Sequence, residues 1–302
     1  MHLSNNSTIS KILQGVFAVY RDRVPDVQKI TDAMVSHGIV TGQSEILNDH
    51  IAFRTMGVKN LGIASFEKIF LAHGYEKRDY FFFEGKKLDA HWYAPPDDEL
   101  PRVFISELRV KDLSEKTHQI IEKYTGTITA DPVDSIDLNN VEEVTEFFHK
   151  PLWQLPTLED YKALLEESEY AAWVIYNRYY LNHYTISVHQ LDGEHRTLEQ
   201  FNDFLKSIGI TLNNSGGEIK VSPDGLLRQS SSVAEKVEAE FAGGDKAVIS
   251  GSYVEFAERL PLPEFAHLPF AEIKRHMRRD GFESGNADKI FESTFTTQTS
   301  RT

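Results

Sequence analysis

The chain has 302 residues, 40% of them apolar and 26% charged, which is material for one large or two moderate globular domains with an ample core. Its formal net charge of −14 argues against partnership with nucleic acid or an anionic membrane, both of which need clustered Lys and Arg, but not against an acidic small molecule held in a locally basic cleft. The absence of cysteine excludes disulfide scaffolding, thiolate catalysis and zinc–sulfur sites.

The start Met1-His2-Leu3-Ser4-Asn5-Asn6 lacks a basic segment followed by an apolar run, so no signal peptide is expected. No stretch approaches the ~20 apolar residues that span a bilayer. The expected location is the cytoplasm.

Residues 8–22 carry Ile9, Ile12, Leu13, Val16, Phe17 and Tyr20 at helical spacing behind capping residues Ser7 and Thr8. Pro25 suits the first turn of a second helix, with the stripe Val27, Ile30, Met34, Val35 and a stop at Gly38. Residues 1–45 thus read as a helical cover.

From residue 46 to 110 the pattern is β-α-β-β-β. A strand over 48–55 is followed by a helix over 63–73 that stops at Gly74, then by strands over 75–84, 87–93 and 102–110. Residues 111–180 read as a helical insertion, with helices over 113–124 and 158–176 and prolines at 132, 151 and 156 between them.

The β-α-β-β-β order returns over 181–260. A strand over 183–191 precedes a capping box at Thr197-Leu198-Glu199-Gln200 and a helical stripe ending at Gly209. Strands follow over 218–221, 226–241 with a break, and 247–259. His50 to Gly74 spans 24 residues and His183 to Gly209 spans 26, which suggests an internal structural repeat within one catalytic domain. In the tail, 261–302, residues 270–277 predict a short helix, and Ile290-Phe291 marks a point where an otherwise polar segment docks back on the body.

Successive side chains of a strand point to opposite faces. His50, Ala52 and Arg54 therefore share a face opposite Ile51 and Phe53. His183, Thr185, Ser187 and His189 share one opposite Tyr184, Ile186 and Val188, and Tyr253, Glu255, Ala257 and Arg259 one opposite Val254 and Phe256. Solvent exposure also produces such alternation, but three matching strands in corresponding places of two modules point to a site.

His183 and His189, six residues apart, would lie ~20 Å apart on a straight strand and cannot share an ion. One ligand per strand can converge. His50, His183 and Glu255 give two imidazoles and a carboxylate, the facial set of non-heme Fe(II) oxygenases, with zinc and an activated water as the chemical competitor. Arg54 lies ~13 Å along the strand from His50 and is suited to a bidentate carboxylate contact, or equally to an ordinary ion pair. His91 and Glu107, on strands of the first module, offer a fourth ligand or a support for one, but read more readily as structural. The run Tyr80-Phe81-Phe82-Phe83 reads as core, Ser230-Ser231-Ser232 as a polar strand or turn, and Gly216-Gly217 and Gly243-Gly244 as hairpin turns, not phosphate loops.

The segments 48–55 (NDHIAFRT), 182–185 (NHYT) and 253–256 (YVEF), with Asp280-Gly281-Phe282 and Ile290-Phe291-Glu292-Ser293 in the tail, resemble the 2-oxoadipate dioxygenase/decarboxylase family across essentially the whole chain. The resemblance implies an α+β fold in which two βαβββ modules form a cupped mixed sheet of the vicinal oxygen chelate type. It implies His50, His183 and Glu255 as Fe(II) ligands, and Arg54 as a substrate contact. It also places the tail, through Gly285 or Asn286, near the substrate. The implied reaction takes a small 2-oxo acid, 2-oxoadipate, and O2 to 2-hydroxyglutarate and CO2. A zinc or nickel lyase, isomerase or hydrolase on the same fold, or a non-catalytic small-molecule binder, are the alternatives the residues leave open.

Overall fold

The computed structural model of the chain describes residues 6–191 and 193–302, so the expectation drawn from residues 1–6 lies almost wholly outside the described residues. The first two helices are α1 (Thr8–Arg23) and α2 (Pro25–Ser36), with Ser7 capping α1 and Pro25 opening α2 as expected. The first module consists of β1 (Asn48–Met56), α3 (Ile63–Leu71), β2 (Glu76–Phe83), β3 (Leu88–Ala94) and β4 (Arg102–Leu108).

Four helices follow: α4 (Glu115–Thr125), α5 (Val141–Phe147), α6 (Leu158–Glu167) and α7 (Glu169–Asn177). The second module has β5 (His183–Ser187), α8 (Leu198–Ser207), β6 (Lys220–Val221), β7 (Leu227–Ser231), the hairpin β8 (Lys236–Glu240) and β9 (Lys246–Ser250), and β10 (Tyr253–Arg259). The tail carries α9 (Ser284–Phe291) and α10 (Thr296–Thr299).

Eight strands make one curled, half-barrel sheet in the order β2-β3-β4-β1-β5-β10-β7-β6, and β8–β9 pair separately. The order is symmetric about its middle. β1 pairs in parallel with β4, β5 pairs in parallel with β10, and the modules join through antiparallel β1–β5. Helices α3 and α8 stop at equivalent glycines: Gly74 and Gly209 adopt φ of +83° and +76°, the left-handed geometry that ends a helix at little cost only for glycine.

The apolar faces of the three central strands pack against helices. Phe53 meets Phe66 and Phe70 of α3 and Phe148 beyond α5 at ring separations of 4.8, 5.8 and 5.2 Å. Tyr184 meets Phe17 and Tyr20 of α1, and Phe256 meets Phe201 of α8. This burial fixes register, because a one-residue slip would exchange the faces and drive His50, His183 and Glu255 into the aromatic core.

Several local expectations change. The predicted helix over 158–176 is two helices, because Ser168 turns extended and its hydroxyl accepts from Ala171 N, starting α7 afresh. Helix α5, capped by Asn140, has too few apolar positions to have shown in the periodicity. The strand expected over 247–259 breaks at Gly251-Ser252. A Cβ on Gly251 would sit 2.7 Å from Val237, and its carbonyl accepts from Trp173 Nε1 at 2.8 Å. The helix expected over 270–277 is a pair of single 3-10 turns. The run Tyr80-Phe81-Phe82-Phe83 is not uniformly core: on edge strand β2, Tyr80 and Phe82 are 54% exposed while Phe83 is buried.

The strand expected over 183–191 ends at Ser187 and passes into a turn, Val188–Gln190. That turn carries His189 into the protein, where its Nδ1 lies 3.2 Å from, and accepts from, Arg259 N. Burial pushes the His189 pKa down to about 3. The folded state thus refuses a proton that the unfolded chain takes at its ordinary value of 6.5. This residue leaves stability unchanged above about pH 6.5 and lowers it as pH falls toward 3, by at most ~1.4 kcal/mol per pH unit. His189→Asn, whose Oδ1 can accept from Arg259, is expected to flatten the acid side of a Tm-against-pH curve. Superimposable acid limbs in the two proteins would remove His189 as the cause.

Candidate metal centre

Strands β1, β5 and β10 are adjacent, and their ladders align the predicted residues. Thr185 stands opposite Glu255 on one side, and on the other its Oγ1 lies 3.0 Å from His50 Nε2. His183 lies one pleat further along β5, opposite Ala52 and Tyr253. A ligand atom from each of His50, His183 and Glu255 lies within 4.8 Å of the others, and all three residues are buried. His50 Nε2 and His183 Nε2 approach the two Glu255 oxygens at 3.4 and 2.9 Å.

The ladders place corresponding strands of the two modules in matching register here, and one difference between them bears on the site. If His50 matches His183, the ladders match Phe104 of β4 with Glu255 of β10. Among the described residues the site thus offers three side chains that could hold a metal, with a phenylalanine where symmetry would place a fourth. Phe104 lines the same cavity as the triad.

Each imidazole is held through its other nitrogen by the residue before it. His50 Nδ1 donates to Asp49 Oδ2 at 2.9 Å, and His183 Nδ1 donates to Asn182 Oδ1 at 3.0 Å. The first contact is possible because β1 shifts register against β5 between Asn48 and Ile51, so neighbouring side chains are no longer strictly opposed. Both pairings leave the lone pair on Nε2, the atom that a metal takes, with that of His50 also in reach of the Thr185 hydroxyl. His183 Nε2, although near Glu255, is a buried nitrogen with no hydrogen-bond partner. This orphaned nitrogen, a carboxylate and a second oriented imidazole fit a divalent metal; two neutral imidazoles and one carboxylate are borderline ligands suited to iron or zinc.

The charges support the same arrangement. Burial alone would raise the Glu255 pKa, yet the two imidazoles hold it well below the usual carboxylate range. Asp49 is likewise buried and likewise held low, by Arg259 and Arg102. His50 is disfavoured as a cation by burial, but Glu255 and Asp49 together hold its pKa above the ordinary value. Burial pushes His183 down; Glu255 opposes this, but Asn182 adds no second carboxylate.

Two residues that sequence reasoning did not single out complete the frame. Asp49 accepts from Arg259 Nε and Nη2 at 2.7 and 2.9 Å, tying β1 to the end of β10. Gln229 on β7 donates to Glu255 Oε1 at 2.6 Å and accepts from Asn286 at 3.0 Å. The signal for the first was present, since an acid or amide precedes each histidine in Asp49-His50 and Asn182-His183. Gln229 left no signal, because only the β7–β10 ladder brings it near.

Arg54 is 1% exposed and lines the same cavity. Among the described residues it makes no ion pair: its Nη1 and Nη2 donate to Thr294 Oγ1 at 2.9 Å and Phe291 O at 3.0 Å, and its Nε has no partner. Tyr170 and Trp173 flank it at 5.1 and 5.2 Å. A buried guanidinium that no carboxylate touches, with Glu169 acting on it only from a distance, is a receptor for a carboxylate.

The tail does close over the cavity, through Phe282, Ala287, Ile290 and Phe291. Gly285 is not at the site; it lies exposed in the first turn of α9 with open space about it. Asn286 is buried one step away, reaching Glu255 only through Gln229. The helical spacing explains both placements, since the inward stripe of α9 runs 287, 290, 291. His91 and Glu107 serve the scaffold: His91 Nδ1 meets Arg78 O, and Glu107 accepts from Ile63 N at the start of α3.

Comparison with known proteins agrees with this geometry. A model of the family described as 2-oxoadipate dioxygenase/decarboxylase matches residues 12–266. The chain is 42% identical to the chloroplastic/amyloplastic 2-oxoadipate dioxygenase/decarboxylase of Oryza sativa, over 98% of this chain and 81% of that protein. Its structure resembles the crystal structure of the Oryza sativa hydroxyglutarate synthase in complex with 2-oxoadipate, with a TM-score of 0.88, 41% identity and coverage of 99% and 96%. A glyoxalase-superfamily protein from Ralstonia eutropha JMP134 shares the fold, with a TM-score of 0.69 at 21% identity, over 91% of this chain and 85% of that one. The paired βαβββ sheet is thus of the vicinal oxygen chelate type. Among the described residues, no helix is long and apolar enough to cross a membrane.

Proposed function

The chain belongs to the 2-oxoadipate dioxygenase/decarboxylase family, and on that premise we propose that it is an Fe(II)-dependent enzyme converting 2-oxoadipate and O2 to 2-hydroxyglutarate and CO2. The observation that carries this reading is the buried triad His50, His183 and Glu255, with both imidazoles oriented from behind and no fourth candidate ligand among the described residues. When bound, Fe(II) would supply open positions for a chelating 2-oxo acid and for dioxygen. The atoms balance without a second reductant, since both oxygens of O2 end in the five-carbon product, one in its new carboxylate and one in its hydroxyl.

The chain's own residues do the rest. His50, His183 and Glu255 hold the metal, and Asp49 and Asn182 keep the imidazoles in the ligating tautomer. Arg54 takes the distal carboxylate of the diacid, which would replace the tail's own acceptors, Phe291 O and Thr294 Oγ1. Phe104, Phe282, Ile290 and Phe291 exclude water from the reacting carbons. The cavity as it stands is only about 20 Å3, room for about one water, so a six-carbon diacid needs space that the lining side chains would have to yield.

Oxygen uptake measured across a series of 2-oxo mono- and diacids, with Fe(II) against Zn(II), tests this. The expected result is uptake with Fe(II) alone, greatest with 2-oxoadipate. Arg54→Met is expected to erase the preference for diacids, the loss of a buried charged pair being of order 2–5 kcal/mol. Uptake indifferent to the distal carboxylate would overturn the assignment of Arg54, and turnover with Zn(II) would overturn the oxygenase.

A further inference from the structure

A second cavity, of about 80 Å3, lies at the end of β1 and β10 and is lined by Asn48, Asp49, Arg102, Arg259, Arg275 and Arg278. Asp49 faces it while His50 faces the metal cavity. Its space is several times the ~10–15 Å3 that one water requires.

Two of its lining side chains are buried donors without acceptors. Arg278 is 4% exposed; its Nη1 donates to Arg259 O at 2.8 Å, but its Nε has no partner. Asn48 is 9% exposed; its Oδ1 accepts from Thr185 N at 3.4 Å, but its Nδ2 has no partner. Natural proteins rarely leave such groups unmet without a water or ion. Arg278 makes no ion pair among the described residues, and the nearest carboxylate to Arg275, that of Asp98, is 4.0 Å away and 72% exposed.

The acids nearby do not answer these donors. Asp49 already accepts from both Arg259 and His50. Asp280 is taken by Arg102 Nε at 2.6 Å. Asp98 and Glu99 stand exposed at the rim, where water screens them. His189, also in the wall, is neutral at ordinary pH because burial pushes its pKa to about 3. Glu258 acts on Arg278 only from a distance and accepts from Leu198 N and Arg228 Nη1. What remains inside is unmet donor capacity and a guanidinium that no carboxylate touches, which suits an acceptor carrying negative charge.

We propose that this cavity binds a small oxyanion of the phosphate or carboxylate class, seated against Arg278 Nε and Asn48 Nδ2 with Arg275 at its rim. The anion lies beside the arginines that hold Asp49, and so beneath the metal ligand His50.

Thermal unfolding is measured while inorganic phosphate or acetate replaces chloride at constant ionic strength, on metal-loaded and on chelator-stripped protein. The expected result is a rise in Tm that saturates with one or both oxyanions and persists after stripping. Arg278→Gln is expected to raise the half-saturating concentration at least tenfold. Asn48→Asp keeps the side-chain size and the acceptor for Thr185 N but puts a carboxylate oxygen where the free donor was. It is expected to abolish the response, since the variant carries its own anion.

No Tm rise beyond chloride in the wild-type protein would mean that water alone fills the cavity and overturns the proposal. So would a response equal in wild type and both variants, which places the anion elsewhere, or one that disappears on stripping, which places it on the metal. No arm depends on turnover, so failure of the oxygenase reading leaves this test standing.

Discussion

Glu255→Ala is expected to leave the folded protein without usable metal affinity and to reduce oxygen uptake with 2-oxoadipate to background. Removing a partner one step outside a metal site costs ~10–100-fold in affinity. Glu255 supplies the only carboxylate of the buried triad, so the loss is expected to exceed about 100-fold. Two histidines then remain in a cavity walled by Phe104, Phe282 and Phe291, with nothing to offset the charge of a divalent ion.

The change also leaves Gln229 Nε2 without its acceptor at 2.6 Å, which costs ~1–3 kcal/mol in stability. Glu255→Gln, which keeps the volume, separates the two effects: its fold is expected to hold while metal is lost. Metal analysis of anaerobically purified variants, beside the oxygen electrode, is the measurement. Uptake that survives either substitution would show that Glu255 is no ligand.

Asp49→Asn has the larger expected effect on stability. Its carboxylate is 1% exposed and accepts from Arg259 twice and from His50, with Arg102 Nη1 at 3.4 Å. Removing one partner of a buried ion pair strands the other charge, at a cost of ~3–5 kcal/mol. Here two guanidinium groups lose it together.

The amide can also present its NH2 to His50 Nδ1, reversing the tautomer and pointing a proton at the metal position. Metal affinity is therefore expected to fall by ~10–100-fold as well. Denaturant unfolding and metal titration test the two halves. In Asp49→Asn/Arg259→Met the stranded charge is removed, and much of the lost stability is expected to return while the metal defect stays. A loss of stability below about 1 kcal/mol would show that Arg259 is satisfied by Gly281 O and Arg279 O alone.

The order β-α-β-β-β, twice, was legible in the sequence because alternation and helical spacing are local properties of the chain. So was the set of polar faces. Ile51 and Phe53 must go to the core, and strand geometry then sends His50 and Arg54 to the other side. Where the reading failed, local pattern and tertiary contact disagreed. Tyr80 and Phe82 look like core but sit on an edge strand whose outer face nothing covers. The tail docks on the body at Ile290-Phe291 as its one apolar pair indicated, but nothing in the local pattern showed that Ala287 and Phe282 join them in the wall of the metal cavity.

The sequence by itself determined the modules, the residues able to ligate a metal and, by resemblance, the chemistry to expect of them. Only the tertiary structure decided that β1, β5 and β10 are neighbours and that Asp49, Asn182 and Gln229 hold the ligands. It alone placed Arg54 beneath the tail with no carboxylate in contact and set Gly285 apart from the site. The reason is physical: side-chain direction follows from a residue's own strand or helix, whereas convergence depends on ladders joining residues as far apart as Asp49 and Arg259, which no local periodicity records.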